Sequence, residues 1–185
     1  MIISPADRLN RIEEYYFSKK LDEIRALNQK GYDIINLGIG SPDQMPSEPT
    51  INALAESARQ PGNHGYQPYR GTPQLRKALS DCYQKTYNVD LDPETEILPL
   101  MGSKEGITHI SLAFLNPGDK VLVPELGYPA YRAVTLMVDG VPVNYPLDEK
   151  TWYPDFRIME KSDLSGVKLM WVNYPHMPTG APPSG

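Results

Sequence analysis

Gly102, Ser103 and Lys104 stand where an apolar run ends and a helical pattern begins. The first amides of a helix lack intrahelical partners and its dipole favours negative charge there, so a phosphate fits. Lys104 adds a fixed positive charge beside those amides, and its place at the helix mouth suits anion binding better than covalent chemistry. Tyr128 emerges from the end of the next apolar run, where its ring can cover whatever the phosphate carries. A phosphorylated aromatic ligand answers both features. The same loop also reads as an ordinary strand-to-helix turn with Ser103 as its cap. Neither a Gly-x-x-x-x-Gly-Lys-Ser/Thr loop nor a Gly-x-Gly-x-x-Gly fingerprint occurs.

Other chemistry-bearing residues give weaker signals. Gly38-Ile39-Gly40 follows a short apolar run and reads as a turn, and Tyr66 to Gly71 is a polar aromatic loop ahead of a helix. His64, His109 and His176 lie too far apart for a metal-ligand spacing, and His109 reads as exposed or satisfied. Cys82 falls on the apolar face of a helix and reads as a core residue. A Gly-x-Ser-x-Gly elbow is missing, and no carboxylate pair stands out for glycosidase work.

The elements that must position these residues follow from periodicity. Residues 7–30 form an amphipathic helical segment, broken midway and ended by Gly31; 34–37 reads as a short strand. Ile51, Leu54, Ala55 and Ala58 mark a helix stopped by Pro61-Gly62. Thr72-Pro73 is an N-cap with proline at the first helical position, leading into Leu75, Leu79, Cys82 and Tyr83. Strands are predicted at 95–101, 119–124, 140–145 and 167–172, with helices at 103–115, 128–138 and 155–162. Asn116-Pro117-Gly118-Asp119 is a turn between helix and strand. That alternation predicts an α/β fold with a mostly parallel sheet and flanking helices.

The totals set bounds. A chain of 185 residues with 40% hydrophobic and 22% charged content is ordinary for a globular domain. A net charge of −5 and the lack of a basic run argue against nucleic acid or an anionic membrane as partner. The lone Cys82 and the absence of an apolar leader predict a cytoplasmic location.

Taken in order, Gly-Ile-Gly-Ser-Pro-Asp, Tyr-x-Pro-x-x-Gly, Gly-Ser-Lys-Glu-Gly, Asn-Pro-Gly-Asp, Gly-Tyr-Pro-x-Tyr and Pro-Thr-Gly resemble the class I/II aminotransferases, pyridoxal-phosphate enzymes of the aspartate-aminotransferase fold. The branch it most resembles is that of the LL-diaminopimelate aminotransferases. The resemblance implies the PLP-dependent transferase fold (fold type I), with pyridoxal 5'-phosphate as cofactor and an amino acid and a 2-oxo acid as substrates. It implies that Ser103 and Lys104 hold the cofactor phosphate and that Tyr128 stacks on the pyridine ring. Tyr66 would reach the phosphate of the neighbouring subunit in a homodimer. Gly40 would offer its N–H to the substrate carboxylate, and Tyr15 or Tyr16 would contact substrate. Residues 1–45 would be an N-terminal arm and small-domain segment, and 46–185 an incomplete large cofactor-binding domain.

Two departures accompany the resemblance. The family's Asn-Pro-Thr-Gly reads Met177-Pro178-Thr179-Gly180, and a thioether cannot donate the asparagine's hydrogen bond to the ring hydroxyl. The family's Schiff-base lysine, its acid partner for the pyridine nitrogen and its carboxylate-binding arginine are expected beyond Gly185. The expectation is therefore the N-terminal part of an aminotransferase, carrying no catalytic residue and inactive alone. Its competitors are another enzyme of the same cofactor and fold, a carbon–sulfur lyase or decarboxylase, and a non-catalytic ligand-binding relative.

Overall fold

Three consecutive residues of the central strand, Val121, Leu122 and Val123, are buried, and their alternation sets the layers of the fold. The computed structural model describes residues 3–12, 16–38 and 40–183. It divides into two compact units, Met1–Glu13 with Leu100–Gly185, and Glu14–Pro99.

The first unit holds a three-stranded parallel sheet of β1 (Lys120–Pro124), β2 (Val141–Tyr145) and β3 (Val167–Met170), in the order β2-β1-β3. Lys120 pairs with Val141 on one side and Val167 on the other. Val121 and Val123 face a cluster containing Ile107 of α4 (Ser103–Phe114) and Tyr131 and Val134 of α5 (Pro129–Met137). Leu122 faces the opposite way, onto Tyr145, Leu147 and Met159 of the short α6 (Phe156–Met159). A strand covered on both faces needs apolar residues at every position, which is why this run lacks the alternation of a half-exposed strand. Each such side chain contributes about 1.5–3 kcal/mol on burial. A 3-10 turn, Asp7–Arg11, lies at the end of α5: Arg8 donates to the Met137 carbonyl at 3.3 Å, and both Arg8 and Arg11 pair with Asp139. Cations at a helix C-terminus are favourably placed.

The second unit contains α1 (Tyr16–Gln29), α2 (Glu48–Ala58), a 3-10 turn at Pro61–His64, and α3 (Pro73–Tyr87). Thr72 caps α3, accepting from the Leu75 amide at 3.2 Å, with Pro73 in the first turn as predicted. Among its described residues no apolar side chain is buried; the buried one is Arg76. Its guanidinium donates to both Glu94 carboxylate oxygens at 2.8 and 2.9 Å and to the carbonyls of Pro93 and Gly71 at 2.8 and 2.6 Å. This fork pins the loop before α3 to the loop after it.

Four expectations need correction. Residues 95–101 form no strand: the Thr95 and Glu96 amides donate to the Asp92 carbonyl in a turn, and Pro99 has no amide to give. Residues 34–37 are unpaired too, with the Ile34 and Gly38 amides taken by the side chains of Asn28 and Asn36 at 2.8 and 2.9 Å. The helix predicted at 155–162 is shorter, since Ser162 bonds back to the Ile158 carbonyl and Asp163 holds the Ser165 amide. Cys82 is exposed, because nothing among the described residues covers that face of α3. By contrast, the turn at 116–119 forms as read, with the Asn116 amide on Asp119 Oδ2 at 2.8 Å.

Candidate functional site

Helix α4 begins at Gly102, whose φ of 99° lies in the region that favours glycine. No side chain caps this N-terminus, and the space where a Cβ would stand at Gly102 is open to 4 Å. The start of α4 is therefore open, and first-turn amides of this kind can receive an anion. Ser103 and Lys104 occupy that first turn with exposed side chains. Glu105, the carboxylate of that first turn, is already engaged: it accepts the Met101 amide at 2.5 Å and meets His109 at 3.3 Å. The Met101 amide holds its carboxyl below the ordinary value, and His109 adds to this.

Tyr128 reaches the same place from β1. Gly127 packs so tightly on the ring of Pro124 that a Cβ would come within 2.3 Å of Pro124 Cγ. A side chain at position 127 would force the chain off Pro124 and move the next residue. Tyr128 is the N-cap of α5, with Pro129 in the first helical turn. Lys104 Nζ stands over its ring, 5.6 Å from the centroid. The pair lies beyond the carboxyl end of β1, where parallel sheets bind ligands. Behind Tyr128 the rings continue. Tyr131 meets it edge-on at 5.7 Å and 80°, and Trp171 stacks on Tyr131 at 5.2 Å and 5°.

Ser103, Lys104 and Tyr128 thus share one unit. Tyr66 and Gly40 belong to the other: Tyr66 is 99% exposed on the loop before α3, and Gly40 lies in exposed chain between α1 and α2. Tyr15 lies outside the described residues. Its neighbour Tyr16 lines a cleft of ≈ 320 Å³ between α1 and residues 35–38, with Phe17, Leu21 and Ile24. Met177 is half-exposed, and beside it His176 is buried, its Nδ1 2.8 Å from Thr179 Oγ1. His176 Nε2 and Asn173 Oδ1 are buried without a partner among the described residues. No group of three or more metal-ligating side chains occurs among the described residues. Sequence reasoning gave no role to Tyr131, the last residue of Gly-Tyr-Pro-x-Tyr, or to Trp171. The Tyr128-x-x-Tyr131 spacing, three apart at a helix start, was the available signal for the first of them.

The family model for aminotransferase class I and II matches residues 32–184. This chain belongs to that family. Its relatives include an LL-diaminopimelate aminotransferase of Aquifex aeolicus, 40% identical over 180 residues, covering 97% of this chain and 46% of the relative. A protein of the same name from Dehalococcoides mccartyi (strain ATCC BAA-2266 / KCTC 15142 / 195) is 43% identical over 94% of this chain and 45% of its own length. Among solved structures, apo-BacF of Bacillus subtilis superposes with a TM-score of 0.90 at 37% identity, covering all of this chain and 47% of that one. The aspartate aminotransferase of Rhizobium meliloti gives 0.88 at 26% identity, over 98% of this chain and 45% of that one. The chain spans about half the length of the curated relatives it matches. The fold is that of the fold-type-I aminotransferases, represented here by a three-stranded parallel sheet with flanking helices. Pyridoxal phosphate is the cofactor of that family. The uncapped α4 N-terminus, the Lys104 cation and the half-buried Tyr128 ring fit its phosphate and its ring, whereas Met177 offers nothing to the ring hydroxyl. No helix among the described residues is long and apolar enough to cross a membrane.

Proposed function

We propose that this chain forms the cofactor-holding part of an aminotransferase that moves an amino group between an amino acid and a 2-oxo acid. The observation that carries the proposal is the Lys104 cation standing 5.6 Å over the Tyr128 ring at the uncapped start of α4. Pyridoxal phosphate, when bound, supplies an electron-accepting ring that makes the Cα–H bond of an attached amino acid labile. The chain's own part is to hold and orient. The first-turn amides of α4 and the Ser103 hydroxyl bind the phosphate, and Lys104 balances its charge. Tyr128 covers one face of the ring and keeps water from it. Gly40 presents its N–H to the substrate carboxylate and Tyr15 contacts substrate. Tyr66 reaches the phosphate of the neighbouring subunit, in a homodimer of the cytoplasm. Residues 1–45 serve as arm and small-domain segment, and 46–185 as part of the large domain. None of the lysines in these residues is assigned the Schiff-base role.

The test uses the protein that carries this chain, titrated with pyridoxal phosphate and followed by absorbance. Lys104→Ala is expected to weaken binding by roughly tenfold or more, the worth of a charge-assisted contact. Turnover should appear with an amino donor such as LL-diaminopimelate and a 2-oxo acid. Residues 1–185 alone should give none above that of free cofactor, and turnover there would overturn the assignment. Met177 favours a second reading, a relative that binds ligand without transaminating. Cofactor binding without turnover in the protein that carries this chain would support that reading.

A further inference from the structure

Trp171 follows β3 at the carboxyl end of the sheet, and three contacts fix it there. Its amide donates to the Leu122 carbonyl at 2.9 Å, so it is tied to β1. Its own carbonyl accepts the Tyr145 hydroxyl at 2.9 Å, and that tyrosine is buried in the cluster under the sheet. Its indole lies parallel to the buried Tyr131 ring, 5.2 Å between centroids and 5° between planes. Tyr131 in turn presents its ring edge-on to Tyr128 at 5.7 Å and 80°. Two rings in offset stack, with a third set across them, hold one another's planes more firmly than aliphatic packing does.

The indole carries a cost that makes its presence informative. Trp171 Nε1 is buried and has no partner among the described residues. Burying an indole N–H without an acceptor is unfavourable, and a phenylalanine would fill much of the same space without that cost.

We infer that Trp171 is a positioning residue: acting through Tyr131, it sets the plane of the Tyr128 ring against which the cofactor lies. The inference rests on the cofactor assignment made above for Lys104 and Tyr128. It extends that assignment from the side chains at the ligand to a ring two contacts behind it.

The experiment measures, in the protein that carries this chain, both the affinity for pyridoxal phosphate and the visible circular dichroism it induces per bound cofactor. Induced dichroism reports a ring held in one orientation, which affinity alone does not. Trp171→Met, of apolar bulk but without a ring, should lower the dichroism per bound cofactor and weaken binding by roughly three- to tenfold, the worth of one aromatic pair. Trp171→Phe should keep the dichroism within about twofold, since the stacked pair survives. Tyr131→Leu breaks the relay at its middle and carries the same expectation as Trp171→Met, so a Trp171→Met protein that fails to fold leaves the question decidable. Unchanged dichroism per bound cofactor in a folded ringless variant overturns the inference. Tyr128→Leu and Lys104→Ala separate the two levels. If neither of those changes binding or dichroism, the cofactor assignment itself has failed; if both do while the ringless variants do not, only the role of Trp171 has.

Discussion

Strand β1 buries Val121, Leu122 and Val123 in a row, whereas in residues 16–99 the side chain that is buried among those described is the charged Arg76. The sheet-bearing unit is held by apolar side chains packed on both faces of a strand. The helical unit is held by caps, by side-chain bonds to backbone, and by one guanidinium fork. The difference matters for the site. Ser103, Lys104 and Tyr128, proposed above to hold the cofactor, stand on elements fastened to the packed sheet, where a fixed geometry is easiest to keep. The loop residues Gly40 and Tyr66 stand on chain whose order comes from local bonds, and such chain opens at lower free energy.

The sharpest way to break this contrast is a pair of leucines. Leu122 is 5% exposed under the sheet and Leu54 is 73% exposed on α2. Leu122→Ala should cost about 2–5 kcal/mol, while Leu54→Ala should stay within about 0.5 kcal/mol. Urea unfolding followed by far-ultraviolet dichroism reads both. Equal costs would mean that the helical unit has a core of its own. The next test strikes at what holds that unit. Arg76→Ala leaves the Pro93 and Gly71 carbonyls and the Glu94 carboxylate without their donor, and should cost about 1–3 kcal/mol. Exchange of the amides at 94–96 should quicken while those of β1 do not change. Arg76→Lys should fail to rescue, because one ammonium cannot reach the Pro93 and Gly71 carbonyls and the Glu94 carboxylate together as the guanidinium's three nitrogens do. Thr72→Ala, which removes the cap of α3, should cost about 1 kcal/mol and raise exchange in the first turn of that helix only.

How much of this was legible before the structure divides along the same line. The strands at 120–124, 141–145 and 167–170 were readable because an apolar run between turn residues has few other fates. The α3 cap and the 116–119 turn were readable because Thr-Pro and Asn-Pro-Gly-Asp act through neighbours in sequence. Residues 95–101 misled because a strand is a partnership, and Ile97, Leu98 and Leu100 look the same whether or not a neighbour is there to pair with. Cys82 misled for a related reason: an apolar helix face says that something is to be covered, not by what. At the candidate site, Ser103, Lys104 and Tyr128 drew attention through local signals, a helix start and a strand end. Trp171 escaped because its place beside Tyr131 is created by the parallel pairing of β1 with β3, which no local pattern records.

The smallest expected effect tests whether local bonds also matter where the sheet begins. Asp163 precedes β3, and its carboxyl is held down at about 2 by the Ser165 hydroxyl and amide and by Lys120, the first residue of β1. The folded value lies below the ordinary 3.8, so the ionised form stabilises the fold at any pH above that ordinary value. That stabilisation is lost as pH falls from 3.8 through about 2. The stability difference between the parent chain and Asp163→Asn should therefore be flat toward neutral pH and shrink across this window. Added salt should remove the Lys120 share, since that pair is exposed, and leave the Ser165 share in place. If the difference persists below the window, the carboxylate's charge is not what matters there. The turn would then owe the difference to hydrogen bonding, since Asp163→Asn keeps the side chain's shape but puts an amide nitrogen where the acid has an oxygen beside Ser165.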